Sequence, residues 1–125
     1  MTRAYVDTSC LVALAFGDPD ATALERRLES LALYSSNLLE AELRAACERE
    51  GRRADPDLLG AIAWVLPARP LANEIARVLR AGATAGRDVW HLACALYLAE
   101  RPHDLAFITL DPRQAEIAAK LGFGA

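Results

Sequence analysis

Four acidic side chains stand where they could do chemistry together. Asp7 in AYVDTS and Asp111 in FITLDPRQ each directly follow an apolar, strand-like run. Glu42 in LLEAELRAA lies on a helical pattern among apolar neighbours, and Asp88 in GRDVWHLACAL opens a helix that is otherwise almost wholly apolar. Carboxylates brought together repel one another and lose hydration, so a fold retains them only with positive charge between them. A hard divalent cation such as Mg²⁺ takes oxygen ligands and meets that need.

Each acid also has an ordinary structural use. Asp7 could cap a helix, although Thr8 and Ser9 offer capping oxygens of their own. Asp88 fits a helix start, where it complements the dipole. Asp111-Pro112 matches an N-cap followed by proline at the first helical position. Thr109, on the same strand end, could bond a water or a phosphate. Glu42 differs from Glu40 in its helical neighbours. Glu40 meets Ser36, Asn37, Leu43 and Arg44 and can pair with Arg44, whereas Glu42 meets Leu38, Leu39, Ala45 and Ala46. A carboxylate bordering an apolar stripe costs several kcal/mol, at order of magnitude, unless paired or metal-bound. His91, among Val89, Cys94, Ala95 and Leu98, reads as a hydrogen-bonded core histidine able to orient Asp88.

The elements that must position these residues alternate. Strands are expected at Ala4–Val6, Ala32–Ser35 and Leu105–Leu110, with a proline-interrupted extended piece at Leu66–Leu71. Helices are expected over Cys10–Phe16, Ala21–Leu31, Ser36 to about Glu50, Pro56–Val65, Asn73–Ala81, Asp88–Glu100 and Pro112–Leu121. This order predicts an α/β fold, a short parallel sheet covered by helices on both faces. In open parallel sheets ligands bind beyond the carboxyl ends of the strands, where Asp7 and Asp111 would stand.

Composition bounds the rest. The 125 residues predict one domain over residues 1–125, and 54% hydrophobic residues leave surface for a partner. A net charge of −3 excludes a generally basic nucleic-acid coat. Cys10, Cys47 and Cys94 form no CxxC pair and read as small buried hydrophobes. No signal peptide and no apolar run of the roughly 18–20 residues a membrane span needs is visible, so a reducing cytoplasm is the expected location.

The four acids, in this order, resemble the PIN-domain ribonucleases, especially the VapC-type toxins of prokaryotic toxin–antitoxin pairs. The similarity runs from YVDTSCLVAL through SSNLLEAELRAA and GRDVWHLACAL to FITLDPRQAEIAAKLGF. The family's opening Asp falls on Asp7, its helical Glu on Glu42, the Asp of its D-x-x-H-L-A element on Asp88 with His91, and the Asp of its T-x-D element on Asp111 with Thr109. Val89-Trp90 is bulkier than the small residue often found there. The resemblance implies a three-layer α/β/α fold and metal-dependent hydrolysis of RNA phosphodiesters. It further implies Mg²⁺ or Mn²⁺ held by Asp7, Glu42, Asp88 and Asp111, with Thr109 at the site and Thr8 or Ser9 helping to position the nucleophile. A homodimer and a cognate antitoxin are the implied partners, with Leu59, Ile62 and Trp64 as exposed-looking contact residues. Arg87 and Arg113 flank two of the acids and could meet the RNA backbone.

Two other readings share these residues. A catalytically silent PIN-like binding module would keep the fold without the chemistry. An Asp-based phosphotransfer domain also places an Asp after its first strand. It usually adds a Lys after a later strand, and Lys120 lies deep in the final helix; the phosphatase pattern further wants an Asp where Ser9 stands.

Overall fold

The computed structural model describes residues 2–125. Its strands are β1 (Thr2–Val6), β2 (Leu31–Ser36), β3 (Ile62–Val65) and β4 (Ala106–Ile108). They form one parallel sheet in the order β3-β2-β1-β4. The chain steps outward from β1 to β2 to β3, then returns to place β4 on the other side of β1. The strand order therefore reverses between β1 and β4, and a crevice opens beyond their carboxyl ends.

Alternating side chains divide the core into two layers. Ala4 and Val6 of β1 and Ile108 of β4 face one side, with α1 (Thr8–Phe16), α2 (Ala21–Glu29) and α3 (Leu38–Arg49) packed on it through Leu11, Leu24, Leu28, Leu39 and Leu43. Tyr5 and Phe107 face the other, against α5 (Ala72–Ala81), α6 (Gly86–Leu98) and α7 (Pro112–Leu121) through Val78, Leu92 and Ile117. The three-layer α/β/α fold follows from the two-residue period of the strands meeting helical stripes on both sides. The apolar α6 is buried along most of its length, as its sequence requires.

The middle of the chain departs from the helix expected over Pro56–Val65. Only Pro56–Gly60 is helical, as the single-turn α4, capped by Asp55 through the Asp57 amide. Ile62–Val65 is β3, paired with β2 from Leu33↔Ile62 to Ser36↔Val65. A short apolar run with a β-branched residue at each end satisfies both periods, and pairing to β2 decides it. The extended piece expected at Leu66–Leu71 is not a strand; Leu66 is 70% exposed and Leu71 anchors in the core. Ile62 is buried, and Leu59 and Trp64 are half-buried against the core, so the exposed large hydrophobics are instead Leu66, Leu79 and Leu110. The helix expected over Ala21–Leu31 ends at Glu29, and Leu31 begins β2.

The C-terminal residues cover the β4 edge. The Phe107 amide donates to the Gly124 carbonyl at 2.8 Å, and the Gly124 amide to the Leu105 carbonyl at 3.0 Å. A pairing row that could recruit another chain is thereby shielded. Cys10, Cys47 and Cys94 are free and buried, and burial pushes the Cys10 and Cys94 thiols well up, which leaves them inert. Among the described residues, no helix is long and apolar enough to cross a membrane.

Candidate functional site

The crevice at the switch point is a cleft of about 240 Å³ lined by Asp7, Thr8, Ser9, Val12, Glu42, Arg87, Asp88, His91 and Asp111. All four acids expected from the sequence meet there, each from a different element. A roomier groove lies beside α4, but its lining of Arg44, Glu48, Arg52, Arg53, Ala54, Pro56 and Leu59 brings no two carboxylates together.

Asp7 directly follows β1 and is only 3% exposed. Although it occupies the N-cap position of α1, its side chain caps nothing there. Its oxygens are held by two hydroxyls: Ser9 Oγ donates to Oδ1 at 2.6 Å and Thr109 Oγ1 to Oδ2 at 2.6 Å. Each hydroxyl is in turn aimed by a backbone amide of the β4–α7 loop, Leu110 N–H donating to Ser9 and Asp111 N–H to Thr109, both at 3.0 Å. The hydrogen of Thr109 is thus committed to Asp7, and Thr109 fixes that acid. Burial holds the Asp7 carboxyl above its usual range, against the opposing pull of the Ser9 and Thr109 hydroxyls and of His91.

Glu42 borders the apolar stripe of α3 and keeps 24% side-chain exposure. Thr8 Oγ1 donates to its Oε1 at 2.8 Å, and His91 Nε2 lies 3.2 Å from the same oxygen. The His91 bond is the main reason its pKa falls below the ordinary carboxylate value. Glu40, by contrast, pairs with Arg44 at 2.9 Å on the exposed face, as the helical spacing predicts. His91 does not orient Asp88. It turns instead to Tyr5, Thr8 and Glu42, which take up both of its ring nitrogens.

Asp88 lies in the first turn of α6 but is not its cap; Ala85 holds that position. Thr84 Oγ1 donates to Asp88 Oδ2 at 3.3 Å. Asp111 combines both of its expected uses, since its Oδ1 accepts from the Arg113 amide at 3.0 Å to cap α7 while the residue lines the cleft. An Asp111→Ala chain should lose about 1 kcal/mol of stability, whereas Asp111→Asn, which keeps an acceptor oxygen, should hold close to the unaltered value. Urea unfolding of the two variants measures the difference and separates the cap from the charge.

The flanking arginines behave differently from each other. Arg87 Nε lies 3.8 Å from Glu42 Oε2 with its side chain 65% exposed at the rim of the cleft. Arg113 does not line the cleft; it donates to the Ala83 carbonyl and lies 3.4 Å from Glu116. Lys120, also beside Glu116, projects from the exposed face of α7, so the cleft has no lysine, and Ser9 stands two residues after Asp7 where a phosphatase would carry its second Asp.

Three contributors were not foreseen from sequence. Gln114 is fully buried, with Nε2 donating to the Asp88 carbonyl at 3.3 Å and Oε1 3.2 Å from Thr109 Oγ1, so it ties α7 to α6 behind the acids. Its signal was a polar residue at the head of the buried stripe Gln114, Ile117, Ala118 and Leu121. Tyr5 and Ser36 are likewise buried, and a buried phenol calls for a partner.

The donors available to a cation are hard carboxylate oxygens, which suit Mg²⁺ or Mn²⁺ rather than a soft metal. Among the described residues, no three of His, Cys, Asp and Glu are grouped closely enough to enclose an ion by themselves.

The fold and its site are thus a short parallel α/β sheet with acids gathered at the switch point. The sequence matches the PIN domain family over residues 4–120, and the chain belongs to that family. Comparison with curated proteins and with solved structures returned no match.

Proposed function

We propose that this PIN-domain protein is a divalent-metal-dependent endoribonuclease that serves as the toxin of a type II toxin–antitoxin pair. The observation that carries the reading is the convergence of Asp7, Glu42, Asp88 and Asp111 on one cleft. These four residues would hold Mg²⁺ or Mn²⁺, directly or through water. The bound cation supplies positive charge for the scissile phosphate and acidity for a water molecule. Asp7 presents a carboxylate whose rotamer is fixed by Ser9 and Thr109. Glu42 faces the cleft between Thr8 and His91. Arg87, largely exposed at the rim, is placed to meet a neighbouring phosphate of the RNA backbone.

A cytoplasmic location, a homodimer and an antitoxin that covers the cleft belong to the same proposal. They rest on the resemblance to VapC-type toxins. An antitoxin arginine reaching the four acids would neutralise them and block the RNA.

The test is RNA cleavage by the purified chain in Mg²⁺ or Mn²⁺, then in excess EDTA, then with the cation restored. Activity should vanish in EDTA and return with the metal. Full cleavage in EDTA would defeat the metal mechanism, and stable phosphoryl labelling of Asp7 by a small phosphodonor would favour the phosphotransfer reading.

A further inference from the structure

Glu42 is held by a chain of hydrogen bonds that begins and ends on the same β2–α3 segment. The Ser36 amide can only donate, so the Tyr5 oxygen accepts from it at 2.9 Å. The Glu42 carboxylate can only accept from Nε2, so in the neutral ring Nδ1 is the acceptor and takes the phenolic hydrogen of Tyr5 at 2.7 Å. A ring nitrogen that accepts carries no proton, so the neutral imidazole bears its hydrogen on Nε2. Nε2 lies 3.2 Å from both Glu42 Oε1 and Thr8 Oγ1. Thr8 gives its own hydrogen to Glu42 at 2.8 Å, and the carboxylate can only accept. Every hydrogen in the chain therefore points toward Glu42, an arrangement in which each bond polarises the next.

Packing holds the chain in one geometry. Tyr5, Ser36 and His91 are each no more than 1% exposed. The Tyr5 ring stacks on Phe107 at 5.3 Å and meets the His91 ring edge-on at 5.7 Å. The chain crosses the top of the sheet, linking the α6 layer to the α3 layer. Tyr5 is two residues before Asp7 on β1, and His91 is three residues after Asp88 on α6. One network thus sets the place of Glu42 relative to two of the other acids.

We propose that His91 is a positioning residue, which fixes the Glu42 carboxylate through Nε2–H while the Tyr5 phenol, anchored on the Ser36 amide, fixes the ring. The proposal rests on reading Glu42 as part of the nuclease site. Tyr5 satisfies only Nδ1, and the acceptor offered to the buried Nε2–H is Glu42, a carboxylate of the cleft, with Thr8 beside it.

The test uses the full chain and three variants: Tyr5→Phe, His91→Leu and His91→Gln, whose amide nitrogen can reach the place of Nε2. In the metal-free protein at pH 8.5, ¹⁵N shifts of the His91 ring should show the Nε2–H tautomer, and Tyr5→Phe should mix the tautomers. Tyr5→Phe and His91→Leu should lower kcat, and weaken Mn²⁺ binding read by electron paramagnetic resonance, by about 10- to 100-fold, the usual effect of removing the partner of a metal ligand. KM for RNA should change little, and His91→Gln should recover most of the loss. An Nδ1–H tautomer, an unchanged tautomer in Tyr5→Phe, unaltered kcat in both Tyr5→Phe and His91→Leu, or equal losses in His91→Gln and His91→Leu would each overturn the proposal. If His91→Leu fails to fold, Tyr5→Phe, which deletes one oxygen, decides alone. An unaltered chain that neither cleaves RNA nor binds Mn²⁺ defeats the nuclease reading instead, and the ring shifts still judge the tether.

Discussion

Replacing Asp7 by asparagine should reduce RNA cleavage by about 100-fold or more, because removing even the outer partners of a metal site costs 10- to 100-fold. The same change should leave the metal-free protein at least as stable as the original near pH 8. These opposite effects have one cause. Burial makes the Asp7 carboxylate costly and raises its folded pKa above the ordinary 3.8. A group shifted upward gives stability that is whole below its unfolded pKa and is lost as pH rises through its folded value. Above that value the metal-free protein carries a buried negative charge, partly offset by Ser9 and Thr109. Asparagine is nearly isosteric and uncharged, so it escapes the penalty and gives up the cation. Glu42 shifts the other way, chiefly through its His91 bond, and its contribution is lost as pH falls. Melting curves of both proteins in EDTA from pH 4 to 8 separate the two, since their difference isolates Asp7. Cleavage retained in full by Asp7→Asn would mean that the acids of the cleft do not cut the RNA.

Leu92→Ala should be among the most damaging single changes to the fold. Leu92 lies on α6, fully buried between the sheet and the helices α5 and α7. Deleting its terminal carbons leaves a cavity among neighbours that can close only partly, for a loss of about 2–5 kcal/mol. Against a total of roughly 5–15 kcal/mol this is a large fraction. The melting temperature should fall by on the order of 10 °C, measured by circular dichroism. Leu92 adjoins His91 and is one turn from Asp88, so the cavity should also loosen the cleft and lower activity before the protein unfolds. A drop of only a degree or two would mean that α6 repacks freely.

The layers and the acids were legible because both depend on short-range patterns. The run before Asp7 and the stripe of α7 each state their own period, and Asp-Pro marks where α7 starts. The family resemblance supplied the order that brings the acids together. The β3 strand was not legible, since Ile62–Val65 fits helix and strand equally until β2 lies beside it. The supports of the acids were hidden for a related reason. Ser9 and Thr109 sit at opposite ends of the sequence and are paired only by the β1–β4 junction, while Tyr5 reads as one more apolar strand residue until His91 faces it. Arg113 shows the converse, for an acid of the cleft stands two residues before it and its side chain is used on the Ala83 carbonyl.

The pairing of β1 with β4 has a consequence for the order of assembly during synthesis. Ala4 meets Ala106 across the sheet, so the segment through β4 must have left the ribosome before β1 has both neighbours. Sheets closed by such distant contacts form late, after the cost of ordering the intervening chain has been met. Asp7 receives Thr109 only at that closing step. Until β4 docks, Asp7 has Ser9 but not Thr109, and the pocket stays one support short.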